Sequence, residues 1–285
     1  MILRAFGALS LCSVFLAGCS ADKKANAAQP AAVKEGSVPP RATVISMQTQ
    51  PYRAVQVTGG GRLTGTVDFE GALPADSTIQ LPSDQAGCGQ TIKVHNVDNS
   101  GTKIGGAVVW LTDIRTGKFF PLQKRFELVN EDCRLSPHVQ AVVATGTLNV
   151  ASEDVAMHRD RIINVGTGVV EAIAPFNDNG EVVPFDRLLD KPAQLEVICD
   201  LHPWSKAHIL VVDHPYFTTT EKSGSFSIDD IPPGTYHVKA WHPELGVAEQ
   251  VVTIVAGQPA SIALKLVPIP AASPTATNSQ SKGGT

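Results

Sequence analysis

The chain has 285 residues, of which 43% are hydrophobic and 6% aromatic, and its formal net charge is -4 at pH 7. A mildly acidic chain without a run of basic residues lacks the positive surface that grips a phosphate backbone, so we expect no nucleic-acid partner. The length leaves room for two or three small domains.

The first residues indicate export. A short apolar stretch follows one positive charge and runs through Phe15, which is too short to span a bilayer. The next residues, Leu16-Ala17-Gly18-Cys19, resemble a bacterial lipobox. The resemblance implies a lipoprotein signal peptide over residues 1–18 and lipidation of Cys19; the alternative is an ordinary signal peptide with a chance cysteine. Because Ser20 follows Cys19, we expect an anchor in the outer membrane of the cell envelope, with the protein facing the periplasm.

Both flanks of the chain have the composition of unfolded segments. Residues 19–60 are rich in Ala, Lys, Gln, Pro and Gly, which predicts a flexible tether. Residues 268–285 are rich in Pro, Ala, Ser, Thr and Gly, which predicts a disordered tail. No segment between them is apolar and long enough for a transmembrane helix.

The part between these flanks has the pattern of an all-β protein. Short runs of alternating apolar and polar residues, such as Arg62 to Phe69 and Thr235 to Trp241, are separated by Gly, Asn and Pro turn signals. Many short strands at this spacing favour β-sandwiches. We predict an N-terminal β segment over residues 61–103 that packs on the next domain, a sandwich over 104–213 and a smaller sandwich over 214–267.

The cysteines of the chain point to one candidate site residue. Cys12 is removed with the signal peptide, and after Cys19 three cysteines remain. The economical arrangement pairs Cys88 with Cys133 and leaves Cys199 alone. An unpaired thiol in an oxidising compartment is a liability unless it is buried or coordinated, so Cys199 becomes a candidate metal ligand.

The middle block resembles plastocyanin-like cupredoxins. The resemblance is carried by the segment Ser152 to His158 and, after some forty residues, by Cys199-Asp200-Leu201-His202-Pro203-Trp204 between two strands. It implies a Greek-key β-sandwich that holds one copper ion with His158, Cys199 and His202. A thiolate and two imidazoles suit copper in both oxidation states. By the same resemblance Cys199 provides the electron path and His202 the exit on the solvent side.

The block also departs from that family. Ser205 stands where the axial methionine is usual, Ser152 replaces an asparagine, and charged residues follow His158. The axial ligand is long and weak, so its loss need not abolish copper binding. Met157 is the nearest other sulfur, but we expect it to point away from the side of His158. A zinc site would need a fourth ligand, for which His138 or His208 could serve.

The last block, from Thr220 to Trp241 with Pro232-Pro233-Gly234-Thr235-Tyr236, resembles carboxypeptidase-regulatory-like, transthyretin-like modules. The resemblance implies a small prealbumin-like β-sandwich of a carbohydrate-binding-like fold. Trp241 is then a possible ligand-binding residue, since aromatic faces suit sugar rings. The plainer interpretation is that it covers the core.

Motifs of common enzymes are missing from the sequence, among them Gly-x-Ser-x-Gly, the Walker loop and His-Glu-x-x-His. The predicted function is therefore not enzymatic. We expect a lipid-anchored envelope protein that binds one copper ion, for electron transfer to a redox partner protein or for copper handling. The alternative is a carbohydrate- or protein-binding scaffold with a degenerate metal site.

Overall fold

A computed structural model describes residues 51–81 and 87–268. The predicted signal peptide over 1–18, the lipidated Cys19, most of the predicted tether and the tail from residue 269 lie outside the described residues. No helix in the described ranges is long and apolar enough to cross a membrane.

The secondary structure of the described ranges consists of strands, so the predicted all-β class is confirmed. The strands before residue 120 are β1 (Arg53–Ala54), β2 (Gly61–Phe69), β3 (Ser77–Gln80), β4 (Thr91–Val94), β5 (Asn99–Ser100), β6 (Lys103–Ile104), β7 (Val108–Leu111) and β8 (Thr116–Gly117). The next are β9 (Arg125–Glu131), β10 (Arg134–Ser136), β11 (Val139–Val143), β12 (Thr147–Ser152), β13 (His158–Asn164), β14 (Val170–Phe176), β15 (Val182–Phe185), β16 (Ala193–Cys199) and β17 (Lys206–Val212). The last are β18 (Phe217–Thr219), β19 (Ser225–Ile231), β20 (Gly234–His242), β21 (Gly246–Ile254) and β22 (Pro259–Leu266).

The first and last groups of strands together build one sandwich, which we call the outer sandwich. One of its sheets has the order β18-β7-β20-β21, and the other has the order β19-β2-β6-β5 with β22 also paired to β2. The β2–β22 pairing is parallel and runs from Arg62 opposite Pro259 to Phe69 opposite Leu266. Apolar residues of both sheets fill a common core, with Leu63, Ile104 and Tyr216 among the fully buried ones.

The middle strands build a second sandwich, which we call the inserted sandwich. Its sheets have the orders β10-β9-β12-β15 and β11-β17-β16-β13-β14. Parallel pairings, β9 with β12 and β11 with β17, join strands that are distant in the sequence. Leu128, Leu148, Val197 and Phe176 belong to its core, which is separate from that of the outer sandwich.

The division of the chain differs from the predicted one. Only part of the segment 61–103 packs on the sandwich that follows it, namely the β3–β4 hairpin. Strand β2 of this segment pairs instead with β19 and β22 of the last block. Strand β7, predicted inside the 104–213 domain, pairs with β18 and β20. The predicted tether to residue 60 also ends too late, since β1 pairs with β8. Alternation along a strand shows which face is buried but not which strand lies beside it, so the pairing was missed.

The two sandwiches meet at a third apolar cluster, which contains Trp110, Val139, Leu210 and Trp241. On β17, Ala207, Ile209 and Val211 face the core of the inserted sandwich, whereas Leu210 and Val212 face this interface. Trp241 is only 1% exposed. It therefore cannot offer its ring to a sugar in solution, and of the two interpretations the structure supports a packing role.

Strands β3 and β4 form an antiparallel hairpin apart from both sandwiches. Ile79 and Ile92 of this hairpin pack with Cys133, Ala156 and Trp204 of the inserted sandwich. A disulfide joins Cys88, in the hairpin loop, to Cys133, in the turn between β9 and β10. We call the hairpin with its loop, residues 77–81 and 87–94, the cap.

Candidate metal centre

Strand register brings three potential ligands to one end of the inserted sandwich. His158 is the first inward-facing residue of β13, and Cys199 is the last inward-facing residue of β16. The two strands are antiparallel neighbours, with Asp160 opposite Cys199. A tight turn after Cys199, in which the Ser205 N–H donates to the carbonyl of His202, returns the third ligand to the same end.

The donor atoms of these residues converge. Sγ of Cys199 lies 3.6 Å from Nδ1 of His158 and 3.6 Å from Nδ1 of His202, and the two nitrogens are 3.1 Å apart. The point equidistant from the three atoms lies about 2.0 Å from each, close to the ~2.0–2.1 Å of a metal–imidazole bond. All three residues are buried. The donor set and its spacing therefore fit one transition-metal ion.

Asp154 orients the ring of His158. The Nε2–H of His158 donates to Oδ2 of Asp154 at 3.0 Å, which leaves Nδ1 free to face Cys199. The same oxygen accepts the backbone N–H of Cys133 at 2.9 Å. Asp154 therefore holds both the ligand and the turn that carries the disulfide.

His202 is enclosed by the cap. It is 4% exposed, and its Nε2 lies 3.4 Å from Sγ of Cys88. Its ring lies 5.2 Å from that of Trp204, whose indole N–H donates to the carbonyl of Cys133. The expectation that His202 faces the solvent is thus wrong, because the hairpin that covers it comes from a segment some 110 residues earlier in the chain.

The electrostatic setting keeps Cys199 and His202 neutral when no metal is bound. Burial raises the pKa of the Cys199 thiol to about 11, and the neighbouring Asp160 carboxylate adds to the rise. Burial lowers the pKa of His202 to about 4, and His158 adds to that fall. A metal ion that binds here would therefore displace the thiol proton of Cys199, whereas the imidazole of His202 already offers a lone pair.

An acidic group lies deeper in the sandwich. Asp160 is fully buried, and one of its oxygens accepts the amide N–H of Asn130 at 2.6 Å, while the other has no hydrogen-bond partner among the described residues. Burial raises the pKa of Asp160. Sequence reasoning missed this pair, since neither residue belongs to a recognisable motif.

No methionine replaces the missing axial ligand in the described ranges; the sulfurs near the two histidines, those of Cys88 and Cys133, belong to the disulfide. Met157 is 58% exposed and points away from the buried side of the strand, as expected. The Ser205 hydroxyl is buried and accepts the backbone N–H of Leu135 at 2.9 Å, so it supports β10. The centre is thus built from three strong ligands.

The structure does not supply the fourth ligand proposed for zinc. The groups of potential ligands formed around Cys199 in the described residues contain neither His138 nor His208. These two histidines lie instead with Glu244. Since successive residues of a strand face opposite sides, the parity of β17 turns His208 toward the interface between the sandwiches and away from the core.

Comparisons with known proteins give partial similarities. Residues 201–262 match the family model described as Polysaccharide lyase family 4, domain II. No curated protein matches the chain. A Cu-containing nitrite reductase from Thermus scotoductus SA-01 is similar over 34% of this chain and 24% of its own, with 22% identity and a TM-score of 0.26. The chain thus spans about a quarter of the length of that reductase.

Two further solved structures are similar to one part of the chain. A purple cupredoxin from Nitrosopumilus maritimus is 17% identical over 30% of this chain and 98% of its own, and a mutant of amicyanin in its Cu(I) form is 12% identical over 32% and 85%. Both have a TM-score of 0.26. The assignment to the all-β sandwich class rests on the strands described above and not on these likenesses.

Proposed function

We propose that this chain binds one copper ion through His158, Cys199 and His202 and serves in electron transfer or copper handling at the cell envelope. The proposal rests on one observation: three buried donor atoms surround a point at bonding distance from each. One thiolate and two imidazoles are the ligands that blue-copper sites use. The proposed role is binding and not catalysis.

The residues around this point favour a fixed geometry. His158 is held by its hydrogen bond to Asp154, and His202 is packed between Trp204 and the disulfide. Cys199 ends strand β16, which is paired with β13 on one side and with β17 on the other. Copper would supply the one-electron chemistry. The protein supplies ligands that do not need to rearrange between the two oxidation states, together with a cap that keeps water out.

A redox partner protein and a lipid anchor complete the proposal. Three apolar side chains, those of Val155, Met157 and Leu201, are exposed next to the ligands in the sequence. Exposed apolar groups beside a buried redox centre would let a partner approach closely without losing hydration of charges. The lipobox-like residues before Cys19 support attachment to the outer membrane, facing the periplasm.

The test is the visible spectrum of the purified chain after addition of Cu(II). We expect a thiolate-to-copper charge-transfer band and one equivalent of tightly held copper, both lost in Cys199→Ser. Cys88 and Cys133 are joined in a disulfide, so they cannot produce the band in the variant. If the protein is colourless and holds one equivalent of zinc that the Cys199→Ser variant does not hold, the site binds zinc and not copper. A protein that binds neither ion would overturn the proposal.

A further inference from the structure

A second group of metal-ligating side chains lies at the interface between the two sandwiches. His138 precedes β11 and His208 lies in β17, so both come from the inserted sandwich, whereas His242 and Glu244 come from the end of β20 and the turn after it. The potential ligand atoms of His138, His208 and Glu244 all lie within 4.8 Å of one another.

Glu244 is the centre of this group. Its Oε1 lies 2.8 Å from Nε2 of His138 and 3.9 Å from Nε2 of His208. Its Oε2 lies 3.1 Å from Nδ1 of His242. Since that nitrogen also faces the backbone N–H of Glu244 as an acceptor, Oε2 gains no hydrogen bond from it. The carboxylate is thus half satisfied and faces three imidazole nitrogens.

The contacts of His138 require a positive charge at this point. Its Nδ1 lies 2.9 Å from the carbonyl of Lys206, which can only accept, so Nδ1 carries a hydrogen. Its Nε2 then faces a carboxylate oxygen at 2.8 Å. Two lone pairs at that distance repel, so either a second proton or a metal ion must lie beside Nε2.

The imidazole of His208 is buried and not fully hydrogen-bonded among the described residues. It is 5% exposed, and its Nδ1 has no hydrogen bond among the described residues. Its Nε2 is 3.9 Å from the Glu244 oxygen, which is beyond hydrogen-bond distance. A buried imidazole that faces a carboxylate and has one ring nitrogen without a hydrogen-bond partner is a candidate metal ligand.

We propose that His138, His208 and Glu244 form a second metal site, separate from Cys199, that takes a divalent ion favouring nitrogen and oxygen ligands, Zn²⁺ above all. Two histidines and one glutamate leave a fourth coordination position for water or a small ligand. A cavity of about 220 Å³ borders His138 and the neighbouring His242. Because the ligands come from both sandwiches, the ion would also fasten one to the other.

Zinc binding to the full chain with Cys199→Ser tests this site without the first one. We expect that protein to bind one equivalent of Zn²⁺ in equilibrium dialysis and to melt at a higher temperature when zinc is present. His208→Asn in the same background should weaken zinc binding by more than about 100-fold, since even outer-shell partners cost about 10–100-fold. Glu244→Gln preserves the shape of the side chain and should weaken zinc binding to the same extent. It replaces His208→Asn as the test if that variant does not fold.

The control is His95→Ala. His95 forms an exposed cluster with Asp76 and Asp98, which is the most evident place for adventitious zinc. The proposal is overturned if the Cys199→Ser chain binds no zinc, if Glu244→Gln binds it as tightly as the parent, or if binding disappears in His95→Ala instead. None of these outcomes depends on copper binding at Cys199.

Discussion

Single side chains decide how the copper ligands of the proposed centre are presented, and Asp154 is the clearest case. Its Oδ2 atom accepts two hydrogen bonds, one from the ring of His158 and one from the backbone N–H of Cys133. The carboxylate thereby fixes the tautomer in which Nδ1 of His158 faces the other two ligands. Asp154 is therefore a positioning residue, which would act on a bound metal only through His158.

Asp154→Ala should lower copper affinity by about 10–100-fold, because the ring loses the partner that fixes its tautomer and orientation. Competition with a copper chelator measures this change. Glu153→Gln is the matched control, as Glu153 is exposed next to Asp154 in the chain. Equal affinities in Asp154→Ala and the control would show that packing alone orients His158.

His214 provides a residue-scale test in the outer sandwich. It is buried near the rings of Tyr52 and Tyr216, and its Nδ1 accepts the backbone N–H of Tyr216. Burial lowers its pKa from 6.5 to about 4. The positive charge of Arg115 also disfavours protonation of the ring. The unfolded chain therefore takes up a proton at higher pH than the folded chain does, and stability that is present above pH 6.5 is lost as the pH falls toward 4.

We expect His214→Asn to reduce this acid sensitivity. An asparagine oxygen can accept the N–H two residues ahead, so the turn is preserved while the titrating group is removed. Urea unfolding at pH 7 and at pH 4.5 should show a smaller loss in the variant than in the parent, by up to about 3 kcal/mol. An unchanged loss would mean that other buried groups, among them His208, carry the acid sensitivity.

At the scale of elements, the cap isolates the centre from solvent. The loop of the β3–β4 hairpin approaches so closely that a Cβ on Gly87 would lie 3.1 Å from the side chain of Val155 and 3.2 Å from the backbone nitrogen of Ala156. Gly87 also has a φ of +100°, which other residues avoid. The disulfide then ties the next residue, Cys88, to the inserted sandwich.

Replacing both Cys88 and Cys133 by serine should free the cap and accelerate metal release. Loss of the cross-link also costs about 2–4 kcal/mol of stability, so a control of similar stability is needed. Ile254→Ala, in the core of the outer sandwich, serves that purpose. Stopped-flow transfer of copper to a chelator should be faster in the double variant than in Ile254→Ala. Equal rates would show that the cap does not limit access.

Elements also mark the limit of what the sequence could predict. Strands with clear alternation, such as β2 and β20, were predicted within a residue or two at each end. Strand β13, His158–Asn164, was missed because charged residues fill its outward positions and break the apolar run. The resemblance predicted His158, Cys199 and His202 as candidate ligands, and the structure brings them together. The cap over His202 and the group around Glu244 depend on contacts between distant segments, which local patterns do not encode.

At the scale of the whole molecule, two cores share one boundary. Trp241 of the outer sandwich packs there with Leu210 and Val212 of the inserted sandwich, and its ring lies 6.4 Å from that of His208. A large buried ring at such a boundary contributes to the stability of both halves.

Trp241→Ala should therefore lower the free energy of unfolding by about 3–5 kcal/mol, as expected for a large-to-small change in a core. Val251→Ala, at an exposed position of the same sheet, should stay within about 0.5 kcal/mol of the parent. Chemical denaturation measures both. A near-neutral Trp241→Ala that lost retention on a polysaccharide column would instead restore the carbohydrate-binding interpretation.

The chain leaves and re-enters the outer sandwich at neighbouring strands, and this bears on how the two-sandwich arrangement can evolve. Phe217 of β18 pairs with Trp110 of β7, so the chain returns from the inserted sandwich to a position directly beside β7. A gene segment coding for residues 120–212 could therefore be gained or lost without breaking a strand pair of the four-stranded sheet. The sandwich that carries the proposed metal centre is in this sense a separable insertion, and the outer sandwich keeps its own strand pairs without it.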